Sequence, residues 1–267
     1  DAMTSTQSMI VARGIACLVA PLLMVLCALS AAGCGSLSTP KLTPPTVLES
    51  PYGSQDGDVL WAVAPLRNES GTTQADPLVM SDKVIAAIAE TKGLRCLPLN
   101  RTIEAMRALN MASVRSPADA LTLARTLGAD GIIVGSITAY EPYQPTLGLT
   151  LALYGRAGAM NTPQAASLDA RALASKTTEP QREGPGNFGT RPLSVAAEHL
   201  DGKNHQVLLD VESYATGRSD PKSSLGWKRY VASMDLYMEF AANHVVGRLL
   251  REEARRLGPV PQEQTRK

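Results

Sequence analysis

Gly131-Ile-Ile-Val-Gly-Ser-Ile-Thr-Ala-Tyr140 and, after a link broken by Pro142 and Pro145, Thr146-Leu-Gly-Leu-Thr-Leu-Ala-Leu-Tyr154 decide the fold of this chain. The first is a long apolar run rich in β-branched residues, the composition of a buried strand. The second alternates without error. Leu147, Leu149, Leu151 and Leu153 fall on one side and small or polar residues on the other, the mark of a strand with one face on a core. A short proline-containing link between two such runs reads as a hairpin turn.

Working outward, the segment before this pair carries the clearest helix start in the chain. Ser116 can accept from exposed backbone amides, Pro117 suits the first helical position, and Asp119 can reach back to complete a capping box. Leu121, Ala124 and Leu127 form the inner face, and Gly128 stops the helix. Further upstream, Asp58-Val-Leu-Trp-Ala-Val-Ala-Pro65 is a compact apolar run fit for a buried strand. Met80, Val84 and Ile88 recur at helical spacing, with Gly93 at the end. Leu94 to Leu99 is a second short strand, and Ile103, Met106 and Leu109 stripe a second helix. Downstream, Pro192 to Glu198 is the expected partner of the leucine strand. Two helices follow. Asn204 caps one lined by Val207, Val211 and Tyr214. Ser233 and Asp235 open the other, which carries Met238, Ala242, Val245 and Leu249, with Arg255 and Arg256 placed to suit its dipole. The expected fold is mixed α/β (α+β): a single, three-layer-like domain with a mixed β-sheet flanked by helices, spanning 58–257. Residues 155–191, rich in Ala, Gly, Ser, Thr, Gln and Pro, read as a disordered hairpin insertion, and 258–267 as a C-terminal tail.

The N-terminal region carries a different message. Arg13 precedes the uncharged apolar run Ile15 to Leu29 and then Ser30-Ala-Ala-Gly-Cys34, the order of an export signal. The small residues before Cys34 resemble a bacterial lipobox, with Ala31 where most such boxes carry Leu. The resemblance implies a signal peptide over 1–33 and a mature chain anchored through acyl chains on Cys34. Each buried methylene of such chains contributes about 0.8 kcal/mol, so several chains hold a domain firmly without its entering the bilayer. An uncleaved span over Gly14 to Gly33 is the alternative, and Pro21 counts against it. Residues 34–57, with Ser, Thr, Pro and Gly concentrated in Ser36 to Gln55, read as a flexible tether.

Composition narrows the function classes. With 26 basic and 25 acidic residues, a net charge of +1 provides no electrostatic footprint for nucleic acid. Cys17 and Cys27 lie in the leader and Cys34 is consumed by lipid, which leaves Cys96 with no internal disulfide partner. Cys96, in a short strand, reads as a buried inert thiol. His199, His205 and His244 do not stand at metal-ligand spacing, so no metal and no cofactor is expected. No Gly-x-Ser-x-Gly, P-loop or dinucleotide fingerprint occurs. Ser38-Thr-Pro-Lys41 and Ser219-Asp-Pro-Lys222 match Ser-x-x-Lys, but each places Pro just before the Lys, where a helix presenting that pair cannot run. One surface motif stands out: Tyr140, Pro142, Tyr143 and Pro145 form a rigid tip with a low entropic cost of binding, a candidate partner contact. The plainer reading is a stiff turn whose tyrosines lie over neighbouring strands.

Val63-Ala-Pro-Leu-Arg-Asn-Glu-Ser-Gly71 and Ala124-Arg-Thr-Leu-Gly-Ala-Asp-Gly-Ile-Ile-Val-Gly-Ser-Ile-Thr138, behind the lipobox, resemble the CsgG and TolB-N-terminal-like envelope lipoproteins. That resemblance implies a small α/β domain in the cell envelope, lipid-anchored and by preference on the outer membrane facing the periplasm. It implies an envelope-protein partner or a homo-oligomer and needs no catalytic residues. The function expected is a non-enzymatic interaction or assembly-accessory module. An oligomeric export-channel component is the first alternative and an envelope hydrolase with an unrecognised site the second.

Overall fold

A computed structural model describes residues 43–52, 58–155, 160, 191–220 and 222–258. The expected signal peptide, Cys34, nearly all of the 155–191 insertion and the tail beyond Gly258 lie outside these residues.

Six strands form one mixed sheet. β1 (Val59–Val63) lies between two parallel neighbours, β3 (Leu94–Cys96) and β4 (Gly131–Glu141); β2 (Arg67–Asn68) runs along β4 beyond the end of β1. β4, β5 (Thr146–Gly155) and β6 (Ser194–Asp201) continue as an antiparallel meander. α1 (Pro77–Ala89) crosses one face between β1 and β3, while α2 (Leu99–Ala108) and α3 (Pro117–Leu127) cross the other between β3 and β4. After β6 come α4 (His205–Ala215), a 3₁₀ turn (Gly226–Lys228), α5 (Arg229–Ala232) and the long α6 (Met234–Leu257). α4 and α6 pack on the α1 side, which completes helices, sheet and helices in three layers.

The two-residue period of β1 divides the core. Trp61 and Val63 enter a large cluster with α1, α4 and α6, whereas Ala62 and Ala64 enter a smaller one with α2 and α3. Leu147, Leu149, Leu151 and Leu153 all face the large cluster with no exposed surface. Burying each contributes about 1.5–3 kcal/mol, so this ladder is a main source of stability. Glu198 interrupts the inward side of β6, but Arg248 of α6 meets it at 3.5 Å.

Helix boundaries follow local chemistry. Ser116 Oγ accepts from the Asp119 amide at 3.1 Å while Asp119 Oδ2 accepts from the Ser116 amide at 3.0 Å. Gly128 closes α3 with φ +65°, a left-handed cap that a Cβ would disfavour. Three boundaries differ from expectation, and two elements are added. β3 stops at Cys96 because Pro98, which has no N–H, becomes the N-cap of α2. α1 ends at Ala89, and Gly93 serves the turn into β3 instead. β6 starts at Ser194, not at Pro192, and runs on to Asp201. The 3₁₀ turn and α5 are extra elements between the two expected closing helices.

The largest departure concerns the tether. Thr43–Tyr52, expected to be flexible, lies against the domain. The Ser50 amide donates to the Lys92 carbonyl at 2.9 Å and the Lys92 amide to the Leu48 carbonyl at 3.0 Å, with Glu49 bridged to Lys92 as a parallel partner. Leu48 and Tyr52 pack on the large core. The domain therefore begins before Asp58.

Candidate functional site

The hairpin between β4 and β5 carries the expected contact residues. Register slips between Ile137 and Ala139, leaving Thr138 as the extra residue of a bulge. Tyr140 is thereby set opposite Leu147, on the side of the large core, where it is half-buried. Burial raises its phenol pKa, and the nearby Asp235 carboxylate adds to the rise. Tyr143 takes the other course and is 87% exposed at the tip. The two tyrosines thus split: Tyr140 belongs to the packing and Tyr143 to the surface. The tip is locally braced, since the Tyr143 amide donates to Glu141 Oε1 at 3.1 Å and the Thr146 hydroxyl to the Gln144 carbonyl at 3.0 Å. Pro142 and Pro145 are half-buried, and the Pro145 carbonyl accepts from the Gly202 amide at 2.8 Å, which ties the tip to the end of β6.

A second constellation escaped the sequence reading. Glu253 of α6 has no exposed surface. Its Oε1 accepts from the Tyr52 hydroxyl at 2.8 Å and from Arg256 Nη2 at 2.6 Å; its Oε2 accepts from Arg256 Nε at 2.8 Å and from the Ser194 hydroxyl. Burial alone would raise its pKa, but the hydrogen bonds from Arg256, Ser194 and Tyr52 outweigh it and hold the carboxyl below its usual range. Arg256 also donates to the Met160 carbonyl at 3.1 Å. Every lone pair of this carboxylate is engaged, so the serine beside it is a structural donor and not an activated nucleophile. The Glu-x-x-Arg spacing of Glu253 and Arg256 was legible as an i,i+3 pair; Tyr52 and Ser194 come from distant segments.

A groove of about 230 Å³ lies between the Thr43–Tyr52 segment, α4 and α6, among Tyr214, Arg218, Asn243 and His244. Arg218 stacks 4.4 Å from the Tyr214 ring centre and donates to the Thr46 carbonyl at 3.3 Å. Burial pushes the Tyr214 phenol up to about 12 and lowers the His244 pKa, the latter despite nearby Asp210 and Glu198. Lys83 of α1 bridges Asp235 and Glu239 of α6, each at 2.8 Å. Cys96 is half-buried, and desolvation lifts its thiol to about 12. Among the described residues no three His, Cys, Asp or Glu side chains gather as a metal site, and no helix is long and apolar enough to cross a membrane.

No protein-family model matches the chain, and no curated protein matches it. Among solved structures it is similar to the C-terminal domain of LpoB from Salmonella enterica, at 15% identity and TM-score 0.31 over 36% of this chain and 71% of that one. It is similar to lipoprotein GNA1162 from Neisseria meningitidis, at 15% identity and TM-score 0.34 over 54% and 80% of the two chains. The hypothetical protein CT253 from Chlamydia trachomatis is also similar, at 11% identity and TM-score 0.33 over 75% and 96%.

Proposed function

We propose that this chain is a lipid-anchored, non-enzymatic protein of the bacterial cell envelope whose α/β domain docks another envelope protein. The CsgG and TolB-N-terminal-like resemblance of Val63 to Gly71 and Ala124 to Thr138 belongs to the same reading, as do Cys34 as the anchor and the outer membrane as its place. The observation that carries it is Tyr143, an aromatic ring presented almost wholly to solvent on a braced two-proline turn. An aromatic side chain has only two torsions to restrict on association and brings a large apolar area, which suits it to an interface.

An export channel draws less support. β5 has the ten residues a membrane strand needs, but its leucine face is already occupied by α6 and the rest of the large core. Exposing that face to lipid would strip the domain of its core.

The test is site-specific photo-crosslinking in cells, with a benzophenone side chain in place of Tyr143 and, as control, in place of Val195. The reading requires a discrete adduct from position 143 that competes with the unlabelled protein, together with membrane retention that Cys34→Ser abolishes. Equal or absent labelling at both positions would sink the docking role.

A further inference from the structure

We propose that Thr43–Tyr52 is a docked strap that shortens the tether of the anchored domain, so that Thr43 can stand no more than about 30 Å from the acylated residue. The proposal rests on the anchored reading given above.

Asp58 marks the start of the sheet in sequence, and a chain free from Cys34 to Asp58 would have twenty-four residue steps, a maximum reach of about 80 Å. The strap removes most of that length. Tyr52 is held by Glu253, and Leu48 to Ser50 pair with Lys92. Leu48 sits against Gly247 of α6, where even a methyl group would come within 3.1 Å of it. Further back, both terminal nitrogens of Arg218 reach the Thr46 carbonyl at 3.3 Å. Gly217 has φ +78°, and a Cβ there would fall 2.5 Å from the Thr43 carbonyl oxygen and the Pro45 nitrogen, so glycine is what allows the strap to lie flush. The chain thus leaves the domain at Thr43 beside the end of α4. Nine residue steps remain to Cys34, a reach of about 30 Å.

The hold is graded, which gives the test its resolution. Residues 43–47 are exposed and rest on Arg218 and Gly217, while Leu48 to Tyr52 are half-buried apart from Glu49. Arg218→Ala should release the first part and lengthen the reach by about 17 Å; Leu48→Asp with Tyr52→Phe should release all of it. The experiment uses the full chain purified from membranes and reconstituted in phosphatidylethanolamine–phosphatidylglycerol vesicles. Hydrogen exchange reads the Ser50 and Lys92 amides, and a dye on Leu209→Cys reports energy transfer to an acceptor in the lipid headgroups. Exchange at both amides about a hundredfold slower than in a free peptide, with transfer that falls stepwise from native to Arg218→Ala to the double variant, is the expected result. Vesicle-bound protein whose two amides exchange like a free peptide, or whose transfer is the same in all three forms, overturns the strap. Loss of vesicle retention in the native protein overturns the anchor, and with it the 30 Å limit, while the exchange arm still reports on the strap. If the double variant loses its fold, Arg218→Ala alone decides.

Discussion

Replacing Glu253 by Gln keeps the shape of a buried side chain and removes its charge. Four donor atoms converge on that carboxylate, two from Arg256 and one each from Tyr52 and Ser194. A hydrogen bond to a charged group contributes about 1.5–3 kcal/mol, and removing one partner of a buried pair costs about 3–5 kcal/mol. The Arg256 side chain retains 28% exposure, so water screens part of its loss. The amide can still accept through one oxygen, but its NH₂ faces at least one donor. A net loss of about 2–3 kcal/mol at pH 7 follows from these terms. The pH dependence has a definite sign. The folded-state pKa of Glu253 is depressed below the ordinary glutamate value of 4.5. Its stabilising contribution is therefore complete above that value and is lost as pH falls through the folded pKa. Urea unfolding of the native protein and Glu253→Gln, from pH 7 down to pH 3, should show a gap that is constant above about pH 5.5 and narrows below about pH 4.5. A gap under about 0.5 kcal/mol at pH 7, or one that stays fixed to the lowest pH, would refute the assignment of this carboxylate as the ionised hub of the network.

Leu151→Ala should destabilise by about 2–5 kcal/mol in chemical denaturation, because its side chain is wholly enclosed beneath α6, whereas Val195→Ala on the open face of β6 should stay within about 0.5 kcal/mol. Ser116→Ala removes one half of a reciprocal cap and should lower stability by about 1 kcal/mol, with a smaller effect from Ser116→Asn. In the folded protein Cys96 should resist iodoacetamide at pH 8 and react only on unfolding, since its thiol titrates at about 12; stoichiometric labelling of native protein would contradict its burial. Tyr143→Ala should leave the unfolding midpoint unchanged, because the ring is almost wholly in solvent, while abolishing the adduct formed from a benzophenone placed at the exposed neighbour Gln144.

What the sequence shows and what it hides follow a single physical division. The leucine ladder, the helix cap at Ser116 and the stripe of Met80, Val84 and Ile88 were legible because each depends on neighbours a few residues away and on which side must meet a core. The split between Tyr140 and Tyr143 was not, because it turns on one bulge. Thr138 has no partner of its own in the register, and that extra residue moves Tyr140 from the open side of β4 to the leucine side. The strap was hidden for a stronger reason. Thr43-Pro-Pro-Thr-Val-Leu-Glu-Ser-Pro-Tyr52 has the composition of a linker, and nothing within it forces order. Its order is imposed by Lys92, Arg218, Gly247 and Glu253, all distant in sequence. Arg256 shows how a local reading can be right in kind and incomplete. Placed near a helix end it suits the dipole, yet its guanidinium is oriented by Glu253, and Glu253 in turn orients Tyr52. Composition describes what a segment would do alone. Here the folded surface overrides it, and the point at which the domain begins becomes a tertiary property that no count of Ser, Pro and Gly could supply.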